Sequence, residues 1–466
     1  MGGYTVDQLK VRHGDRWRWY AVSTVIVTTM ATILSATAIN VALPDIMAEF
    51  SLTQGQVHWL ATGYLAAMTI SMLCATWVLD RFGMRKSTLA CVMLFSLFSI
   101  LGGLSSAVSH LFIARIFLGV IAGLMQPMAM YLVFRTFPKE QRGSVLGFYG
   151  FGIILAPALA PVLGGFLVEY FNWRYVFYAP VPVTLLAIVL AWFFLPVKVL
   201  KPVKYPFDIL GLIFLSVVVV FALDSINSMH VQDIPFYRRL GSPALTVFAL
   251  FLFVRRQRSI ARPLLNIGLL MRKQFLYAGA GALALGFTMF GSTYLLPVYT
   301  QTTLNFTPTD AGLVMLPAGV VLGVTLLFTS RLTNSWKSKH LLFAGMLCAC
   351  VSAFLLSFST PVTTFLYVAI VAVLGRVGMA FMLPSVSTGA LNQLSPDELG
   401  DGSSTISFLR QLGGVLGINF IALIIDKFEA VPSASAVLPL GGFTAAWVFM
   451  GVILLVLLIP VSRLKS

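Results

Sequence analysis

Fourteen apolar segments leave this chain one class of fold. They run over residues 19–42, 57–79, 87–107, 111–134, 144–168, 174–196, 208–228, 240–254, 275–300, 311–330, 340–359, 362–390, 403–424 and 441–462. Most reach the ~20 residues that a helix needs to cross the hydrocarbon core, where every backbone polar group must be satisfied internally. The chain is 58% hydrophobic and 10% charged, whereas a soluble domain carries about 25% charged residues. No soluble domain is left over. The expected fold is an all-α polytopic membrane protein. A charged tail over 1–18 precedes the first segment, which is too long for a signal-peptide core and has no small-residue cleavage site. It reads as a retained first span.

Segment eight, 240–254, is short enough to be an interfacial helix, and parity decides its status. With fourteen spans, 24 of the 31 Lys and Arg fall in one set of alternate loops and the tails. The opposite loops hold only Arg174, Arg238, Arg239 and Lys427. Arg115, Arg376 and Arg410 lie within spans. Were segment eight not to cross, the basic loop with Arg331, Lys337 and Lys339 would face outward. The positive-inside rule therefore places both termini in the cytoplasm. The same distribution explains the net charge of +15 without nucleic acid as a partner. Cys74, Cys91, Cys348 and Cys350 all fall in apolar segments, with neither a disulfide framework nor a metal-binding spacing.

The two ends of the chain echo each other at an offset near 257 residues. Gln126–Ser144 and Leu383–Ser404 each carry a span-centre proline, then Pro-x-Glu, then Gly-Ser opening the next span. Leu52–Tyr64 similarly echoes Phe306–Val320. Spans 2, 4 and 5 thus pair with 10, 12 and 13. This divides the chain into a bundle over 19–196, a linker with two added spans over 197–274, and a second bundle over 275–462, with a short tail at 463–466. Parallel repeats of this kind are the architecture of secondary transporters.

Several loops and spans carry chemistry. After span 2 the chain reads Asp80-Arg81-Phe82-Gly83-Met84-Arg85-Lys86. Gly83 permits a tight turn. A positive-inside loop explains the cations but not Asp80 or Gly83. Arg115 opens Arg115-x-x-x-Gly119-x-x-x-Gly123 in span 4. An arginine at membrane depth costs roughly 3 kcal/mol or more and is a functional candidate by default. The alternative is an arginine that snorkels from its place near the span's start. Glycines four apart admit a close neighbour. Span 5 holds Pro157, Pro161, Gly164 and Gly165, a pattern for bending and close approach. Asn172-Trp173-Arg174 then precedes span 6. Span 1 ends on LSATAINVALP, Leu34–Pro44, which runs into a short loop.

Together these motifs resemble those of the major facilitator superfamily, and of its fourteen-span drug:proton antiporters in particular. The loop after span 2 is similar to G-x-L-x-D-R-x-G-R-K-x, with Thr76 for the first glycine and Met84 inserted. The resemblance implies that Asp80, Arg81, Gly83, Arg85 and Lys86 gate the cytoplasmic side. Arg115 matches R-x-x-Q-G, with Leu118 for the glutamine. Span 5 resembles the antiporter motif G-x-x-x-G-P-x-x-G-G, with Ala160 before the proline, and implies a kinked, sealing helix. Trp173-Arg174 resembles the opening of span 6 in that subfamily. Leu34–Pro44 resembles L-D-x-T-x-V-N-V-A-L-P, matching at Thr37, Asn40, Ala42, Leu43 and Pro44. Span 13 carries Arg410-Gln411-Leu412-Gly413-Gly414, like the subfamily's R-Q-L-G-G. The fold implied is two six-helix bundles with two extra spans between them, in a bacterial inner membrane. The function implied is export of amphipathic small molecules by alternating access, with no cofactor and the proton gradient as energy source.

One residue breaks the pattern. Ser35 stands where the subfamily carries its span-1 aspartate. A proton-coupled antiporter ordinarily needs a buried carboxylate for which proton and substrate compete. Asp224 is the acid inside an apolar segment, near the outer end of span 7; a water-facing span end is its simpler reading. Three routes stay open. Coupling uses Asp224, Asp80 or Glu169. Or the substrate is neutral or anionic and meets Arg115, Arg376 and Arg410. Or the protein is an uncoupled facilitator. Candidate cavity residues are Ser35, Asn40, Tyr64, Met68, Gln126, Tyr149, Phe290, Tyr294, Arg376, Met382, Arg410 and Gln411, since aromatic and Met-rich surfaces adapt to bulky ligands. Membrane lipid surrounds the spans. In two-membrane relatives a periplasmic adaptor protein and an outer-membrane channel continue the path, and such partners stay open here. His13, His58, His110, His230 and His340 sit in loops or span ends, which disfavours a membrane-embedded enzyme or a metal site. A non-transporting receptor or scaffold on the same fold would tolerate the lost acid.

Overall fold

The computed structural model describes residues 4–52, 54–197, 205–227, 236–304, 306, 308–360, 363–429 and 441–464. Among them the regular structure is entirely helical. The helices are α1 (Val6–His13), α2 (Trp17–Glu49), α3 (Gln54–Met72), α4 (Ala75–Phe82), α5 (Met84–Gly103), α6 (Val108–Thr136), α7 (Lys139–Tyr170), α8 (Arg174–Tyr178) and α9 (Pro180–Phe194). They continue as α10 (Ile209–Asn227), α11 (Phe236–Ser259), α12 (Ile267–Met271), α13 (Lys273–Thr302), α14 (Pro308–Ser335), α15 (Ser338–Ser357), α16 (Phe365–Leu391), α17 (Leu399–Glu429) and α18 (Gly441–Ser462).

Every apolar segment coincides with a helix or a helix pair. Eleven helical stretches among the described residues are long and apolar enough to cross a membrane, or twelve if a bent pair counts as one span. That pair is the second segment, expected as one span and found broken by 56° between α3 and α4. The break has a local cause. The Ser71 hydroxyl bonds back to the Met68 carbonyl at 3.1 Å, and the Cys74 N–H takes the Ser71 carbonyl in a three-residue turn. Both substitute tighter bonds for the α ladder. The expected loop after span 1 is also revised. Pro44 lies inside α2, which continues to Glu49.

The chain divides into two compact units. One comprises Met1–Asp208 with Leu394–Thr405, and the other Ile209–Gln393 with Ile406–Ser466. The two share much of their internal packing. In the first, α2 packs on α6 and α9, α3 on α6, and α5 on α6 and α9. In the second, α13 packs on α16 and α18, α14 on α16, and α15 on α16 and α18. The helices of apolar segments 1, 2, 3, 4 and 6 therefore have their counterparts in those of segments 9, 10, 11, 12 and 14. The echo between the two ends of the sequence is an echo of packing. The helices of segments seven and eight, α10 and α11, pack on each other within the second unit.

Glycines set the closest approaches. A Cβ added at Gly119 would collide with the Tyr64 carbonyl, and one at Gly123 with the Met68 carbonyl and the Ser71 hydroxyl. The glycine repeat of span 4 thus presses α6 against the backbone of α3. In the second unit Gly345 and Gly378 do the same for α15 and α16, where a Cβ on Gly345 would lie 2.6 Å from the Gly378 carbonyl oxygen.

Candidate functional site

Arg115 sits within the first unit and does not snorkel. It is 1% exposed. Its Nε donates to the Leu60 carbonyl and its Nη1 to the Ser35 carbonyl, each at 3.1 Å. The guanidinium lies 4.3 Å from the centre of the Tyr64 ring, and the Tyr64 hydroxyl donates to the Thr32 carbonyl at 2.8 Å. Nη2 has no hydrogen-bond partner among the described residues. One buried cation therefore ties α2, α3 and α6 together through carbonyl oxygens and a ring face. Among the described residues no carboxylate lies within ion-pair distance of it. Such a cage solvates the charge without neutralising it.

The cage gathers Ser35, Tyr64 and Arg115 from the expected cavity set. Met68 is buried nearby on α3, with its carbonyl against the Gly123 position. Gln126 and Tyr149 are buried on α6 and α7, whereas Asn40 is exposed on α2. On α7 only one of the paired glycines meets a neighbour. A Cβ at Gly164 would lie 3.0 Å from the Ala38 carbonyl oxygen, while Gly165 has open space. Residues 157 and 161 lie in the helix, but the side chains of Pro157 and Pro161 are outside the described set.

The loop after α4 turns at Gly83, whose φ of 76° is a left-handed conformation that favours glycine. Asp80 accepts a 2.7 Å hydrogen bond from the Tyr205 hydroxyl. Trp77 donates its indole N–H to the Tyr205 carbonyl at 3.4 Å and packs on Phe207 with ring centres 4.9 Å apart. The segment before α10 is thus strapped to the signature loop. Thr76, in place of the first family glycine, shares a 3.0 Å hydroxyl hydrogen bond with Ser404, which belongs to the same unit. Arg85 is buried with its guanidinium 4.7 Å from the Trp192 ring centre, while Arg81 and Lys86 are exposed. At the other end of the helices, Trp173 Nε1 donates to Glu49 at 2.6 Å, and Arg174 reaches the same carboxylate through two N–H donors.

In the second unit Asp224 is buried on α10 and accepts a 2.6 Å hydrogen bond from the Ser242 hydroxyl on α11. This replaces the water-facing reading with an interior carboxyl. Arg376, on α16, donates to the Thr293 hydroxyl at 3.3 Å and contacts the Met379 sulfur at 3.4 Å. Met382, Arg410 and Gln411 are buried, Phe290 is half-buried against Gly414, and Tyr294 is 36% exposed. Among the described residues no three His, Cys, Asp or Glu side chains cluster as metal ligands.

Sequence reasoning passed over Glu49, Tyr205 and Ser242. Each is an ordinary polar residue whose role depends on a partner elsewhere in the fold.

The sequence pattern of the Major Facilitator Superfamily matches residues 25–418. The chain belongs to that superfamily. It is an integral membrane transporter and not an enzyme. The lincomycin resistance protein LmrB of Listeria monocytogenes is 29% identical over 407 residues, which cover 85% of this chain and 84% of that protein. The riboflavin transporter RibZ of Clostridioides difficile is 25% identical over 408 residues, covering 87% and 88%. Among solved structures, the human organic anion transporter MFSD10 (TETRAN) superposes with a TM-score of 0.65 at 13% identity, over 95% of this chain and 99% of that one. At that identity the likeness concerns the fold of this facilitator.

Proposed function

We propose that this facilitator is a fourteen-span, proton-coupled exporter of amphipathic small molecules, acting by alternating access in a bacterial inner membrane with both termini cytoplasmic. The two six-span bundles are 19–196 and 275–462, with the hairpin of spans 7 and 8 inserted between them in sequence. Similarity to a lincomycin resistance protein supports export. The observation that carries the coupling is the Asp224–Ser242 hydrogen bond. A buried carboxyl near the end of a helix hairpin can bind or release a proton there, the task that position 35 cannot perform with a serine.

A second reading is an exporter or facilitator of a neutral or anionic compound without carboxylate coupling. Two in-span arginines, each without a carboxylate partner among the described residues, favour it, as does similarity to a riboflavin transporter.

The test is efflux from proteoliposomes, with and without an imposed pH gradient. A lincosamide serves as one probe and riboflavin as another. Proton coupling predicts gradient-driven flux that Asp224→Asn abolishes. Flux indifferent to the gradient would transfer the assignment to the uncoupled reading.

A further inference from the structure

We propose that the second unit contains a binding site for a monovalent anionic group, centred on Arg376. This deepens the exporter reading by naming the chemistry of one part of the ligand, and it rests on that reading only for its role in transport. The site is a cavity of about 20 Å³ within this unit. A space of that size admits a water-sized group such as a chloride ion or one carboxylate, because about 10–15 Å³ suffices for a water.

The lining is asymmetric in its chemistry. Three residues with side-chain donors line it: Arg376, Ser292 and Trp447. Trp447 is 1% exposed, and its Nε1 has no hydrogen-bond partner among the described residues. Ser292 Oγ is likewise buried and unpartnered among them. Leaving such a group unpaired costs about 1–3 kcal/mol, so two in one cavity mark a place for an acceptor. The other hydroxyls are already committed as donors, Thr288 to the Ala284 carbonyl and Ser352 to the Val371 carbonyl. No Asp or Glu lines the cavity.

Arg376 supplies the sign. Its hydrogen-bond acceptors are the Thr293 hydroxyl and the Met379 sulfur, at 3.3–3.4 Å. These are long, neutral contacts for a guanidinium, which forms its strong bonds at about 2.7–2.9 Å with anions. Arg376 is only partly buried, and Thr293 beside it is exposed. A single cation, two spare donors and no acid select one negative charge over a cation or a neutral amine. The apolar remainder of the wall, including Leu356 and Met450, suits a carboxylate attached to an apolar body.

The test uses the full chain in nanodiscs, titrated with sodium benzoate or with sodium chloride at constant ionic strength held with sodium sulfate. The readouts are intrinsic tryptophan fluorescence and thermal stability. The expected result is a saturable fluorescence change that Trp447→Phe removes, together with stabilisation against heat. Arg376→Gln should weaken the apparent affinity at least tenfold, and Arg376→Lys should restore part of it. Saturation by benzoate alone assigns the site to a carboxylate of the ligand; saturation by chloride as well assigns it to small monovalent anions generally. Both outcomes support the site. Absence of saturation with either probe overturns it, as does unchanged affinity in folded Arg376→Gln or Arg376→Lys protein. Because binding is read without transport, efflux with no anion binding removes the site and leaves the exporter standing. Binding with no efflux does the reverse.

Discussion

Arg115 donates a hydrogen bond to the backbone carbonyl of Ser35, the residue that stands at the aspartate of the motif L-D-x-T-x-V-N-V-A-L-P which Leu34–Pro44 resembles. The cation and the substituted position are thus direct neighbours in space, although 80 residues separate them in sequence. A carboxylate introduced at 35 would arrive beside a guanidinium with one unpartnered nitrogen. We predict energetic coupling between Ser35→Asp and Arg115→Gln. A double-mutant cycle read by thermal unfolding in detergent should give at least about 1 kcal/mol, as for residues in contact. Additive effects would sever the link.

The cage also predicts that charge alone does not satisfy position 115. Arg115→Lys keeps the cation but loses the planar fork that serves the Leu60 and Ser35 carbonyls together. The expected loss is about 1–3 kcal/mol, accompanied by slower efflux. Wild-type stability in the lysine variant would show that only the charge matters.

Glycines of the span-4 and span-5 motifs are not equivalent. Gly119→Ala and Gly123→Ala place a methyl group against the α3 backbone, with an expected destabilisation of about 1–3 kcal/mol each. Gly165→Ala meets open space and should be neutral or slightly stabilising, since alanine is the better helix former by about 1 kcal/mol. Expression yield and thermal midpoint in detergent report the contrast. Equal damage at 123 and 165 would contradict it.

The strap on the signature loop is separable from the fold. Tyr205→Phe deletes one hydrogen bond to the Asp80 carboxylate, a bond to a charged group worth about 1.5–3 kcal/mol. Hydrogen–deuterium exchange over 205–208 should accelerate about tenfold, with the rest of the first unit unchanged. Protection identical to wild type would show that Trp77 and Phe207 hold the segment without it.

The Glu49 clamp should matter less than its geometry suggests. The Arg174 and Glu49 side chains are 31% and 40% exposed, and such surface pairs contribute about 0–1 kcal/mol. Glu49→Gln is expected to lower stability by less than about 1 kcal/mol at moderate salt. A larger loss in a salt-dependent thermal melt would mean that the clamp closes a more deeply buried end.

What the sequence made legible follows from what is local. Apolar segment length located every long helix but not the short α1 and α12, because a backbone in hydrocarbon has few alternatives. Matched motifs pointed to the repeat, since proline and Gly-Ser recur at like places within corresponding helices, α6 with α16 and α7 with α17. The bend between α3 and α4 escaped because neither proline nor glycine marks it; a serine bonding back to its own helix does. Glu49, 124 residues from Trp173, could not be paired with it by spacing. Ser292 and Trp447 were invisible for a related reason. That they line one cavity with Arg376 depends on the rotation of packed helices, which hydropathy does not encode.

The glycine seams carry a mechanical consequence. Where α3 meets α6, and where α15 meets α16, backbone lies against backbone with no layer of flexible side chains between. A joint of that kind resists sliding, because any axial shift drives carbonyls into Cα atoms. Substrate-linked movement in this protein should therefore leave those pairs intact as rigid struts, and concentrate its compliance where a helix is already interrupted, at residues 73–74.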